Sequence, residues 1–192
     1  MQKNTLIIVE GPQGAGKSTF TNYLRENLAS ADLHRLTGIK DKSKTGLAKV
    51  TKRFMREMDY IRQGCSPDDP TMIYDRNFFT DEVYARLGYK EYSFAETYQN
   101  LLKQLDEMDL EIYLVILYLE NENLYKERLA SRDKFEYQKF DVENSINQQR
   151  EYLKLADEIE KQTKNIKVIR FANDTEEKFK SKVKEIFGQL FK

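Results

Sequence analysis

One stretch, Leu6-Ile7-Ile8-Val9-Glu10-Gly11-Pro12-Gln13-Gly14-Ala15-Gly16-Lys17-Ser18-Thr19, limits what this chain can fold into more than any other. Four apolar residues read as a short buried strand, and they feed a GxxxxGK(S/T) loop, GPQGAGKS. Beyond it Tyr23, Leu24 and Leu28 recur at helical spacing. A strand that turns through glycines into a helix brings successive N–H groups and the positive end of the helix to one point, which is a nest for phosphate. Gly11, Gly14 and Gly16 allow the tight turn without a Cβ, and Pro12, Gln13 and Ala15 fill it. Lys17 is expected to reach the β- and γ-phosphates, and Ser18, followed by Thr19, to offer a hydroxyl to Mg²⁺. Binding of a nucleoside triphosphate, ATP in the first instance, is the expectation. The loop leaves open what happens to it.

The rest of the chain alternates strand and helix signals. The first helix runs to about residue 29, and residues 32–39 form a sparse strand candidate interrupted by Arg35. A lysine-rich loop at 40–46 precedes an amphipathic helix at 47–61, with Leu47, Val50, Phe54, Met58 and Ile61 on one face. Turn residues fill 64–70, and Thr71-Met72-Ile73-Tyr74-Asp75-Arg76 reads as a strand ending in an acid. A helix at 94–108 leads to the strongest strand of the chain, IYLVILYL at 112–119, which must be central. Residues 121–131 look helical, 132–141 are polar and aromatic without a period, and 142–161 are helical again. A last strand at 166–171 precedes a closing helix striped with Phe179, Val183, Ile186, Phe187 and Leu190. This order predicts one α/β domain over residues 1–192: a doubly wound, five-stranded, mainly parallel sheet with helices on both faces. Ligands of such sheets sit at the carboxyl ends of strands, here Glu10–Gly11, Asp75–Arg76 and Asn173–Asp174.

Composition removes several classes of function. Lys plus Arg equals Asp plus Glu at 32 each, so no net field holds the chain on a polyanion or an anionic membrane, and nucleic acid is not the expected partner. The single cysteine, Cys65, has no internal disulfide partner, and the single histidine, His34, rules out a multi-histidine metal site. No apolar run approaches the roughly 20 residues that span a bilayer, and the short run at 6–9 is no signal peptide. A cytoplasmic protein is expected.

The reaction is narrowed by what stands beside the loop. Neither DxxG nor NKxD occurs, which argues against a GTPase switch, and Asp75 is followed by Arg76 where AAA-type ATPases carry a second acid. An Asp at a strand end holds Mg²⁺ or accepts a proton, and an adjacent Arg forks onto phosphate. An ion pair capping a turn is the plainer alternative. Arg128, Arg132 and Lys134 supply cations for a small lid over residues 128–141, with a solvated basic face as the alternative.

GPQGAGKST after IIVE, YDRNFFTDEVYARLGY at 74–89, LVILYLENENLYKERLASR at 114–132 and the terminal FANDTEEKF together resemble the thymidylate kinase and deoxynucleoside kinase branch of P-loop kinases. The resemblance covers most of the chain and implies the P-loop NTPase fold. It implies transfer of the ATP γ-phosphate to a small-molecule acceptor, a nucleoside or nucleoside monophosphate. By the same resemblance Arg76 would meet the acceptor phosphate or the transferring group, and Arg128 and Arg132 would be lid arginines. Phe54 would stack on the acceptor base unless it is helix core, and residues 173–175 would lie near the adenine. Three departures stand out: RLTGIKDKSKTG replaces the segment after the second strand, Met58 replaces an arginine four residues after Phe54, and neither Gln13 nor Ala15 is basic.

The expected activity is an ATP- and Mg²⁺-dependent kinase of a deoxynucleoside monophosphate, then of a deoxynucleoside. Lys17, Arg128 and Arg132 stabilise the moving phosphoryl group, Ser18 and Asp75 hold Mg²⁺, Arg76 orients the acceptor, and Glu10 backs the metal or acts as base. A kinase of a hydroxyl on a polynucleotide or modified DNA base is the runner-up, and a nucleotide-binding regulator the third reading. A homodimer through the apolar helix at 94–105 is also open, as is burial of that helix in the core.

Overall fold

The computed structural model describes residues 4–64, 71–130 and 142–191. Along the chain these form β1 (Thr5–Glu10), α1 (Lys17–Asn27), β2 (Ala31–Arg35), α2 (Lys44–Gly64), β3 (Thr71–Asp75), α3 (Phe78–Arg86), α4 (Ala95–Asp106), β4 (Glu111–Tyr118), α5 (Asn123–Ala130), α6 (Val142–Gln162), β5 (Ile166–Ala172) and α7 (Glu176–Phe187). A 3₁₀ turn, Gly188–Leu190, follows. The five strands make one sheet in the order β2-β3-β1-β4-β5, and every neighbouring pair is parallel.

Period-two alternation along β1 divides the interior in two. Leu6 and Ile8 face one core with Val50, Phe54, Met58, Leu101, Leu105, Tyr152 and Leu155, side chains of α2, α4 and α6. Ile7 and Val9 face the other, with Phe20 and Leu24 of α1 and Phe179, Val183 and Phe187 of α7. With every β1 residue buried, the strand has no solvent face, which is why its sequence is a run rather than an alternation. Register brings the strand ends level: Val9 stands beside Asp75 on one side and Val115 on the other.

The differences from the sequence expectation have local causes. β2 ends at Arg35 rather than 39 because it is an edge strand whose tip leaves the sheet after one further bond, Leu36 N–H to the Asp75 carbonyl at 3.2 Å. α3 carries no apolar period; its buried Thr80, Asp81 and Glu82 are satisfied by Glu10, Lys90 and Arg86. The apolar face of α4, offered above as a possible dimer contact, is instead packed inside the chain: Tyr98, Leu101, Leu102 and Leu105 are all buried in the core shared with α2 and α3. The turn at 65–70 and most of the lid, Arg132 and Lys134 included, lie outside the described residues.

Candidate active site

The loop between β1 and α1 is shaped by close approach. Gly11 has φ +143°, and a Cβ there would collide with the Leu117 carbonyl of β4. Gly16, at φ +92°, caps α1, and a Cβ would meet Asn173 Nδ2 at 2.5 Å. Both positions therefore require glycine. Lys17 is buried, and its ammonium donates to the carbonyls of Gly11 at 2.7 Å and Pro12 at 2.8 Å, which holds it under the loop crest. The Gln13 N–H is directed at Gln148 Oε1 of α6 at 3.4 Å. Ser18 and Thr19 are exposed at the start of α1.

Ser18 Oγ donates to Asp75 Oδ2 at 3.0 Å, joining α1 to the tip of β3. Arg35 Nε approaches the same oxygen at 3.8 Å. Asp75 is 9% exposed on its side chain. A hydroxyl and a carboxylate oxygen side by side are the hard donors Mg²⁺ accepts, the remaining positions going to water and phosphate, so the residues present fit that ion. Among the described residues no three or more His, Cys, Asp or Glu gather as a metal site.

Arg76 has φ +73°, the left-handed region, which a non-glycine residue occupies only at a cost. Two hydrogen bonds fix it: Arg76 N–H to the Val9 carbonyl at 3.0 Å and Asn77 N–H to Glu10 Oε1 at 2.6 Å. Its guanidinium donates to Tyr84 Oη at 3.4 Å. Burial works against its charge, but Tyr84, Tyr152, Glu10 and Asp75 outweigh burial and hold it above the ordinary arginine value.

Glu10, expected to back the metal or act as base, lies behind the strand ends. It is fully buried, and its oxygens accept from Asn77 N–H, from Thr80 Oγ at 2.6 Å and from Tyr152 Oη at 3.3 Å. Burial raises its pKa from 4.5 to about 7, against the pull of Thr80, Asn77, Arg76 and Lys17. The carboxylate therefore holds the Asp75–Arg76–Asn77 turn from behind. Phe54 is 2% exposed, edge-on to Phe78 and Phe94, so its position is helix core. Arg128 donates to the carbonyls of Gly14 at 3.3 Å, Ala15 at 3.5 Å, Asn173 at 2.6 Å and Asp174 at 3.3 Å. It ties the loop to the end of β5, and burial lowers its pKa. Asn173 Nδ2 donates to the Ala15 carbonyl at 2.7 Å, and Asp174 accepts from the N–H groups of Glu120 and Asn121.

A cleft of about 300 Å³ opens at these strand ends, lined among others by Gly16, Lys17, Ser18, Arg35, Asp75 and Arg76. Arg35, Leu36, Thr37 and Gly38 complete the lining after β2, and in the sequence Arg35 shows only as an interruption of a strand candidate. Its signal was position, the carboxyl end of a parallel strand.

The chain has the fold of the P-loop nucleotide kinases. It is similar to a thymidylate kinase from Candida albicans, at 14% identity over 97% of this chain and 92% of that one, with a TM-score of 0.60. It is also similar to the YorR protein of Bacillus subtilis, solved in complex with phosphorylated GDP, at 18% identity over 96% of both chains and a TM-score of 0.64. A deoxyadenosine kinase from M. mycoides, with products dCMP and dCDP bound, matches at 16% identity over 96% of this chain and 97% of that one, with a TM-score of 0.58. No protein-family model and no curated protein matches the chain. Among the described residues no helix is long and apolar enough to cross a membrane.

Proposed function

We propose that this chain transfers the γ-phosphate of ATP to a (deoxy)nucleoside monophosphate, with Mg²⁺, as a thymidylate kinase-like enzyme of nucleotide metabolism acting in the cytoplasm. The observation that carries the reading is the convergence of Lys17, Ser18, Asp75, Arg76 and Arg35 on one cleft. A shared fold with a thymidylate kinase and a deoxyadenosine kinase supports it.

In the proposed reaction a phosphate oxygen of the acceptor attacks Pγ, the bond from Pγ to the β–γ bridging oxygen breaks, and ADP leaves. A monophosphate oxygen is already deprotonated near neutral pH, so the step needs no general base. That suits a cleft whose lining carboxylate, Asp75, is engaged by Ser18 and Arg35, with Glu10 enclosed behind it. Lys17 balances charge on the β- and γ-phosphates, and Arg76 meets the acceptor phosphate or the moving group. Ser18 and Asp75 would hold Mg²⁺, which would supply positive charge against that of the phosphates. Arg128, Asn173 and Asp174 set the wall of the loop on the nucleotide side.

The test is incubation with γ-labelled ATP and Mg²⁺ against nucleosides, nucleoside monophosphates and DNA, beside Lys17→Ala and Arg76→Ala. Label on a monophosphate, reduced at least about a hundredfold in both variants, is expected. Label on nucleosides or DNA alone, or on nothing while ATP still binds, overturns the reading.

A further inference from the structure

The neutrality of the whole chain conceals a segregated charge. Between Arg35 and Arg56 stand eight cations and one carboxylate, Asp41, in a protein whose Lys plus Arg and Asp plus Glu are equal. Arg35 is at the cleft, and Lys40 and Lys42 follow on the exposed loop that runs from the cleft wall to α2. Along α2 Lys49, Lys52, Arg53 and Arg56 recur at steps of three, one and three residues, which is one helical face. Val50, Phe54, Met58 and Ile61 are buried on the opposite face. Lys52 and Arg56 are exposed, whereas Lys49 is partly neutralised by Asp41 at 2.6 Å and Arg53 is drawn to the Thr37 carbonyl. One turn after Arg56 comes Tyr60, 46% exposed, on the same face.

Extended basic stripes of this kind match repeated phosphates. From Lys49 to Arg56 the helix rises about 10 Å, and the loop lysines lengthen the path toward the cleft. A single nucleotide between Lys17 and Arg76 does not use the outer face of α2. A membrane surface is also a poor match, because a helix lying on lipid presents its apolar face and here that face is in the core. Cations tracking a backbone beside an exposed aromatic ring are the elements of a single-strand binding surface.

We propose that the outer face of α2 binds single-stranded nucleic acid, with phosphates along Lys52 and Arg56 and a base on the Tyr60 ring. The surface is separate from the phosphoryl-transfer cleft and does not depend on the reading of that cleft. Because the chain is neutral as a whole, attraction is confined to about one Debye length, roughly 8–10 Å at physiological salt, and binding is weak and strongly salt-dependent.

Fluorescence anisotropy with a labelled oligothymidylate of about twelve nucleotides tests this, at salt from about 50 to 200 mM. Binding at low salt is expected, with log affinity falling by about 0.7 per neutralised phosphate for each unit of log salt. Lys52→Glu with Arg56→Glu should weaken it at least about tenfold and flatten the salt slope, and Tyr60→Ala should weaken it about tenfold with the slope kept. Phosphotransfer to free nucleotides should be unchanged in all three variants, which separates this surface from the cleft. The glutamine versions of both charges serve if the reversed variant fails to fold by circular dichroism. No binding at low salt, equal binding after charge removal, or displacement by a mononucleotide at the same phosphate concentration overturns the proposal.

Discussion

Glu10 shows how a single buried carboxyl can define a site it does not enter. It holds the Asn77 N–H that keeps Arg76 in its left-handed conformation, and it shares Thr80 and Tyr152 between α3 and α6. Its folded pKa of about 7 lies above the ordinary 4.5, so the native state binds that proton more tightly than the unfolded chain does. The stabilisation is present below about pH 4.5 and is lost as the pH rises through about 7, on the order of 3 kcal/mol in all. Thermal unfolding of the protein and of Glu10→Gln between about pH 5 and 8 should show the protein losing stability with rising pH relative to the variant. Parallel curves would remove Glu10 as the titrating group. The sequence places Glu10 at the strand end, whereas the burial and the three donors that claim its carboxylate follow from the packing of α3 and α6.

Among the elements, α6 does most to hold the site from outside the motifs. Three buried polar side chains on one of its faces reach three different segments: Gln148 the Gln13 N–H, Gln149 both polar groups of the Leu119 peptide, and Tyr152 the Glu10 carboxylate. Gln149 also accepts from Tyr125 Oη of α5. Gln149→Leu would leave the Leu119 N–H, the Leu119 carbonyl and the Tyr125 hydroxyl without this partner, so a loss of about 3 kcal/mol in urea unfolding is expected, with Gln149→Glu recovering part of it. A loss under about 0.5 kcal/mol would show that water or neighbouring groups satisfy the peptide. The helical spacing of Tyr152, Leu155 and Ile159 announced α6 as a helix, but glutamines next to that stripe read as solvent-facing until their partners are known. For α3 the case is stronger still, since a helix buried through paired polar groups has no apolar period to detect.

At the scale of the molecule, one sheet serves two cores. Ile7 and Ile8 are sequence neighbours with fully buried side chains in different cores, as are Ile73 and Tyr74 of β3 and Leu114 and Val115 of β4. Ile7→Ala and Ile8→Ala should each cost about 2–5 kcal/mol and still give one unfolding transition. A second transition in either variant would show that the two sides of the sheet unfold separately. The GPQGAGKS loop after an apolar strand, the central IYLVILYL run and the strand–helix alternation fixed the nest, the sheet and its two helical faces from local chemistry, because glycine freedom, helix dipole and apolar periodicity act over a few residues. Asp75 beside Ser18, Arg35 at the cleft, Arg128 on four carbonyls and Glu10 sealed behind the turn were decided by the tertiary structure. Those contacts join residues 40 to 142 positions apart or depend on burial, and only the packed sheet, by lining up the ends of β1, β2 and β3 and pressing α6 behind them, determines which charges meet and which are taken out of water.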